Sequence, residues 1–386
     1  MVFAKKVQIL FTPFPVCFFI LLSGLLNASP EQSLKREIEH SLDKGVQWLY
    51  AEQNRSEGFW GSPQYPALTA LALRTSLGHP NQKETEKYRE QRTLGFKFLR
   101  SMVQTDGGIY GKGLASYNTS ISLMAFLQLK DSQDEPIIRA ARKFLVNQQS
   151  DFDQKGKADN LFDGGVGYGS TWAHSDLSNT HLAMEALYYA KKLYNTKEEN
   201  LSDLDWQAAI DFVSNCQNLP SSNPQAWVSE HNEDRGGFVY FPGNSMAGER
   251  TDENGTVSLR SYGSMSYAGL LSFIYAEMDS SDPRIIAVKD WLSQNYQIEE
   301  NPGMGKQGLF YYYHTMAKAL TLAGMDQIKL PSGTTRDWRK ELTFALLDTQ
   351  HKEGFWVNES GRWWEKDPVL VTCYAMLALE RIYYAL

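Results

Sequence analysis

The densest polar chemistry in the chain is the run His174-Ser175-Asp176-Leu177-Ser178-Asn179-Thr180-His181. A carboxylate flanked by two imidazoles can move protons or orient a polar ligand. The same run opens an apolar stretch of helical period, so Asp176 or Ser178 also suits a helix N-cap, worth about 1 kcal/mol. A lone carboxylate at a helix start is favoured as the anion by free N–H groups and the macrodipole, so Asp176 is expected to be a poor proton donor. It can still accept a proton, relayed through His174 or His181. Glu185, further along the stretch, reads either as a buried acid of raised pKa or as the partner of Lys318.

Other chemistry-bearing residues precede later apolar runs. Phe310-Tyr311-Tyr312-Tyr313-His314 and Glu365-Lys366-Asp367 stand in positions related to that of Asp176. With Tyr65, Tyr117, Tyr168, Trp172, Tyr262, Trp363 and Trp364 they can wall a pocket for an isoprenoid chain, a carbocation or a stacked sugar ring, or they can fill the space between helices. The candidate catalytic residues are therefore Asp176, His174, His181 and His314. The candidate ligand-binding residues are Tyr117, Tyr168, Trp172, Asn179, Tyr262, Tyr312 and Asp367.

What must position these residues is a repeated unit. Six apolar runs can be superposed to place Pro66, Thr119, Thr180, Met265, Thr315 and Thr372 at equivalent sites, separated by 53, 61, 85, 50 and 57 residues. A period of this size signals one supersecondary unit used repeatedly. Each unit holds a charged, amphipathic helix, such as Ile38 to Gln53, then a turn built on Gly-x-aromatic or a one-residue variant such as Gly237-Phe238-Val239-Tyr240. These turns are read at Gly58, Gly108, Gly165, Gly237, Gly308 and Gly354. A second helix, nearly apolar all round, follows and must be surrounded by protein. Six such helices inside six amphipathic ones give an all-α, α/α toroid with parallel inner helices, whose N-termini open at one end. The long stretch 218–259 is an insertion, either a functional loop or a surface excursion.

Composition agrees with one closed unit. The chain has 386 residues, 42% hydrophobic and 22% charged, with a formal charge of -7 that offers no basic field for nucleic acid. Lys5 and Lys6 precede an apolar stretch from Val7 to Leu26 and the small residues Asn27-Ala28-Ser29, as in a signal peptide spanning 1–28. The chain from 29 to 386 is then expected to be secreted or periplasmic, with no stable membrane span. Three cysteines make no disulfide framework, and neither Cys-x-x-Cys nor His-Glu-x-x-His is present.

Lys44-Gly45-x-x-Trp48-Leu49-x-x-x-Gln53-x-x-x-x-Gly58-x-Trp60 resembles the QW motif of squalene-hopene and related terpene cyclases at every defined position. The mature chain as a whole resembles the terpenoid cyclase and protein prenyltransferase toroid superfamily. The resemblance implies that Gln53 with Trp60, and Gln350 with Trp356, tie one helix end to its neighbour. It also implies a central aromatic cavity that binds, and in an enzyme transforms, an isoprenoid or other hydrophobic small molecule. A non-catalytic binding or scaffold toroid and a polysaccharide-active toroid are the alternatives. Of the cyclase motif Asp-x-Asp-Asp-Thr, Asp176 and Thr180 match, while Ser178 and Asn179 replace the other two acids. The zinc-ligand positions of the prenyltransferases fall on Tyr262, Ser264 and Val371, so neither metal nor cofactor is expected.

Overall fold

The computed structural model describes residues 29–169, 174–194 and 203–386. The signal-like run 1–28 and Trp172 lie outside the described residues. Six helices form an inner ring: α2 (Pro66–Gly78), α5 (Ala115–Leu129), α7 (Leu177–Tyr194), α9 (Gly263–Tyr275), α11 (Leu309–Leu322) and α13 (Pro368–Ala385). Each packs on the next, and α13 returns to α2, so the ring is closed. Around it stand α1 (Pro30–Glu52), α4 (Arg89–Ser101), α6 (Glu135–Val146), α8 (Trp206–Asn215), α10 (Pro283–Gln294) and α12 (Trp338–Thr349). The short α3 (Gln82–Glu86) precedes α4. The protein is an α/α toroid. Its only strands among the described residues are two hairpins, β1 (Glu249–Thr251) with β2 (Val257–Leu259) and β3 (Ile328–Lys329) with β4 (Thr335–Arg336).

The burial pattern explains the layering. Inner helices such as α2 and α5 are buried along nearly their whole length, whereas α6 buries one stripe of Ile138, Ala141, Arg142, Phe144 and Leu145. The joints between units repeat in atomic detail. Nε2 of Gln53 donates to the carbonyls of Gly58 (2.8 Å) and Gln91 (2.9 Å), the second at the start of the next outer helix. Gln149 does the same to Gly164 and Asp205, Gln217 to Gly236 and Arg284, and Gln350 to Gly354 and Ser41. The indoles of Trp60 and Trp356 donate to Leu49 and Leu346 at the ends of their own outer helices. These residues serve the joints and leave the interior free.

The structure corrects the register. A hydroxyl on the inner helix accepts the backbone N–H of the turn: Thr69 from Trp60, Thr119 from Ile109, Thr180 from Val166, Ser266 from Phe238 and Thr372 from Trp356, all at 2.9 to 3.0 Å. Thr69 and Ser266 thus replace Pro66 and Met265, because an apolar run can slide by a residue or more where a hydrogen bond cannot. The glycines of positive φ at the turns are Gly58, Gly107, Gly164, Gly236 and Gly354, one residue before the expected glycine in three repeats. The fifth repeat lacks the turn: Gly308 (φ 64°) instead precedes the first residue of α11.

The inner helices also begin earlier than their apolar runs. Their first turns carry polar side chains, which do not register as part of a buried stripe. Tyr117, Ser178, Asn179 and Tyr311 to His314 therefore lie on helices instead of preceding them.

Candidate functional site

Because the six inner helices run parallel, their first turns meet at one end of the ring. Counting four residues back from the aligned hydroxyls, and from Thr315 in the fifth repeat, brings Tyr65, Ala115, Asp176, Tyr262, Tyr311 and Pro368 into equivalent places. Asp176 is thus the acid among three tyrosines at this mouth.

Asp176 is fully buried and caps α7: its Oδ1 accepts the Asn179 N–H at 2.9 Å, and its Oδ2 accepts Asn179 Nδ2 at 2.8 Å. Burial pushes the carboxyl up to about 6, against the pull of the Asn179 donors, His174 and the Tyr240 hydroxyl. This reverses the expectation that helix N–H groups would hold Asp176 firmly anionic, since desolvation is the larger effect here. Both Asp176 oxygens are engaged with Asn179, so Asp176 fixes which way the Asn179 amide faces. The Asn179 Oδ1 is buried and has no hydrogen-bond partner.

The other walls are tyrosines. The Tyr117 and Tyr374 hydroxyls are 3.2 Å apart, and Ser178 Oγ lies 3.3 Å from the Tyr311 hydroxyl. The Tyr311 and Tyr374 rings are 5.8 Å apart, and His314 stacks on Tyr374 at 5.5 Å. Burial raises the phenols of Tyr117 (to about 12), Tyr168, Tyr240 and Tyr311, so all four remain neutral hydroxyls. The insertion contributes directly: the Tyr240 carbonyl accepts the Leu177 N–H at 2.9 Å, and Phe241 packs on His174 at 4.6 Å.

The candidates divide. Asp176, His174, Asn179, Tyr117 and Tyr168 meet at the mouth, and Tyr262 is buried beside Tyr311 and Asp176. His314 (5% exposed) lies just below. His181 is fully buried, with Lys318 and Glu185 as charged neighbours and the Tyr311 ring 6.3 Å away. Burial and the Lys318 charge lower the His181 imidazole to about 4. Tyr312 points away, donating to the Gln297 carbonyl at 2.7 Å and packing on Tyr267. Asp367 caps α13 through the N–H groups of Val369 and Leu370. Sequence reasoning misses Tyr240, Phe241 and Tyr374 as members of the site. Tyr240 reads there only as a turn aromatic, and its role depends on where the insertion folds.

At the rim, Trp363 and Trp364 stand consecutively at φ 53° and 66°, 43% and 48% exposed. Left-handed backbone at a bulky residue costs about 1–2 kcal/mol each. The surrounding strap holds them there: the buried Glu365 carboxylate accepts the Tyr311 N–H at 2.8 Å, capping α11, and also binds Asn358 Nδ2. Trp363 lies beneath the Arg362 guanidinium (4.4 Å), while Trp364 meets Tyr65 edge-on at 4.9 Å.

Below the mouth the barrel axis is ionic. Lys318 Nζ lies 2.7 Å from Glu185 Oε2, each side chain 1% exposed. Arg74, Glu380 and Arg381 are within electrostatic reach of this pair or of one another. The alternative of a Glu185–Lys318 pair is thus what the structure contains. Burial would raise Glu185, but the Lys318 and Arg74 charges outweigh it and hold the carboxyl at about 2.

One prediction arises here. In folded protein Asp176 titrates about two pH units above an ordinary aspartate, so the native state binds the extra proton. Stability from this group is present below about pH 4, falls as pH rises to about 6, and is then lower by about 3 kcal/mol. Asp176→Asn has no charge to bury. Its melting temperature relative to wild type should climb between pH 4 and 6, then level off. A pH-independent difference in thermal melts would refute the buried-charge account.

No family model and no curated protein matches the chain. Among solved structures, the type II terpene cyclase MstE from Scytonema (apo) aligns over 91% of this chain and 99% of its own, at 11% identity and a TM-score of 0.55. The GH76A alpha-1,6-mannanase from Salegentibacter sp. HEL1_6 aligns over 90% of this chain and 100% of its own, at 10% identity and a TM-score of 0.58. At such identities the likeness is one of fold. MstE was also solved with geranylgeranyl dihydroxybenzoate as substrate. The mannanase was solved with alpha-1,6-mannotriose as an inactive variant, in which two consecutive aspartates are replaced by asparagine. This chain has no Asp-Asp pair anywhere in its sequence. Among the described residues, no three His, Cys, Asp or Glu side chains are arranged to hold a metal ion, and no helix is long and apolar enough to cross a membrane.

Proposed function

We propose that the mouth binds a hydroxyl-bearing ring of carbohydrate class, through its tyrosine hydroxyls, the Asn179 amide and the open Trp364 face. The observation carrying this reading is the ionic axis beneath the mouth. A long isoprenoid tail gains its affinity by burying apolar surface, about 25 cal/mol per Å². Running it past Glu185, Lys318 and Arg74 would set its apolar surface against charged groups that it cannot hydrogen-bond. A sugar offers flat C–H faces for Trp364 and hydroxyls for the tyrosines and Asn179. Binding without turnover is the role these residues support, because Asp176 has both oxygens engaged and is itself closed off from a ligand.

An isoprenoid ligand is the second reading. It is favoured by the QW resemblance, by the fold shared with a terpene cyclase, and by an Asp176 that is partly protonated near pH 6. In that case the ligand would lie across the aromatic mouth and not down the axis. Under either reading the N-terminal run supports export, and N-terminal sequencing of the mature protein should begin near Ser29.

Calorimetric titration with a panel of neutral oligosaccharides should give saturable binding, weakened at least tenfold in Trp364→Ala with the fold intact. Absence of glycan binding, together with a co-purified isoprenoid in native mass spectrometry, would overturn the carbohydrate reading in favour of the second.

A further inference from the structure

At the far end of the barrel from the mouth, the charges do not balance. Glu185 and Lys318 neutralise each other at 2.7 Å. That leaves Arg74 on α2 and Arg381 on α13 facing the single carboxylate of Glu380, which is 5% exposed with its Oε1 unpartnered. Burial raises the Glu380 carboxyl well above its ordinary value in spite of both guanidiniums, and even ionised it offsets only one of the two. Arg74 is itself 5% exposed, and its Nε is buried with no acceptor. Among the described residues its side chain makes no hydrogen bond. Its backbone is fixed, the carbonyl accepting Gln128 Nε2 at 3.2 Å.

Cations near helix C-termini commonly offset the macrodipole, but that effect fades within the last turn. Neither α2 nor α13 has a basic residue in its last turn. The macrodipole therefore does not account for the two guanidiniums. Arg74 is buried and Arg381 half-buried, and two forked donors facing a single carboxylate suit a planar or tetrahedral oxyanion, which accepts paired N–H bonds.

We propose that Arg74 and Arg381 form an oxyanion site in the lower barrel that takes a carboxylate or phosphate group. The anion enters from the end opposite the mouth, where exposed Tyr384 lies one turn beyond Glu380 and its hydroxyl donates to the Gly78 carbonyl. The site is separate from the aromatic mouth and stands whichever ligand the mouth takes.

The test is thermal melting of the full chain in inorganic phosphate or acetate against chloride at fixed ionic strength and pH 7. Wild type should show a saturable rise in melting temperature with phosphate or acetate and none with chloride. Arg74→Gln and Arg381→Gln should each weaken that response at least tenfold, while Trp364→Ala leaves it unchanged. Glu380→Gln guards against variants that fold poorly, because it keeps the shape of the side chain without a charge. It should bind phosphate at least as well as wild type does. An equal response to chloride, no saturable response in wild type, or binding that appears only in Glu380→Gln would each overturn the assignment, the last by showing that ionised Glu380 already fills the role.

Discussion

Gly164→Ala should destabilise the protein by about 4 kcal/mol, enough to place it among exceptional single substitutions. Gly164 has φ 82°, and a Cβ built there would overlap the carbonyl carbon and oxygen of Ala208 on α8. The left-handed backbone accounts for about 1–2 kcal/mol of the loss. The remainder is steric, since helix backbone cannot yield as a side chain can. Gly243 provides the control: its φ is 83°, with nothing within 4 Å of the position a Cβ would take. Gly243→Ala should therefore cost only about 1–2 kcal/mol. Denaturant melts of the two variants compare the same dihedral with and without the wall behind it. Equal losses would mean that the close approach of the turn to the next outer helix carries no energy.

Lys318→Met should cost about 3 kcal/mol, because it leaves the Glu185 carboxylate in the barrel with only Arg74 for company. Adding Glu185→Leu should recover the loss to within about 1 kcal/mol, since a buried pair often does no better than well-packed apolar side chains. The pH dependence has a definite sign. Glu185 is held at about 2 when folded, below the ordinary 4.5. The stability it contributes is complete above about pH 4.5 and is lost as pH falls from there towards 2. The double variant should lose less stability over that acid window than wild type. If Lys318→Met alone is neutral at pH 7, Glu185 does not depend on its partner and the ionic axis does not hold the barrel together.

How much of this was legible in the sequence depends on what each residue reports. Periodicity reports burial, so the six units and the ring could be read from it, while the structural role of Gln53 and Trp60 came from the resemblance to the QW motif. Hydroxyl register could not, because Thr69 and Ser266 look like any polar residue in an apolar run. The polar knot at Asp176 was visible from composition alone. Its raised carboxyl was not, because desolvation depends on what five other repeats and an insertion place over it. Tyr311 and Tyr312 are neighbours of one type, and only the helix start at Leu309 decides which faces the mouth and which packs against Tyr267.

At the closure of α12 on α1 the Gly354 turn lies against Lys44 as the turns at Gly58, Gly107, Gly164 and Gly236 lie against their next outer helices, and Gln350 bonds Ser41 as Gln53, Gln149 and Gln217 bond theirs. Open arrays of repeats can lengthen or shorten by whole units, and they need specialised ends to shield the last exposed face. A closed ring has no ends to shield and no room to change its copy number: a seventh unit would find no gap, and a five-unit chain would leave one joint unmade. Variation in such a protein is confined to what the joints do not see. That is where this chain carries its additions, in the 218–259 excursion and the tryptophan strap, both of which lean over the mouth.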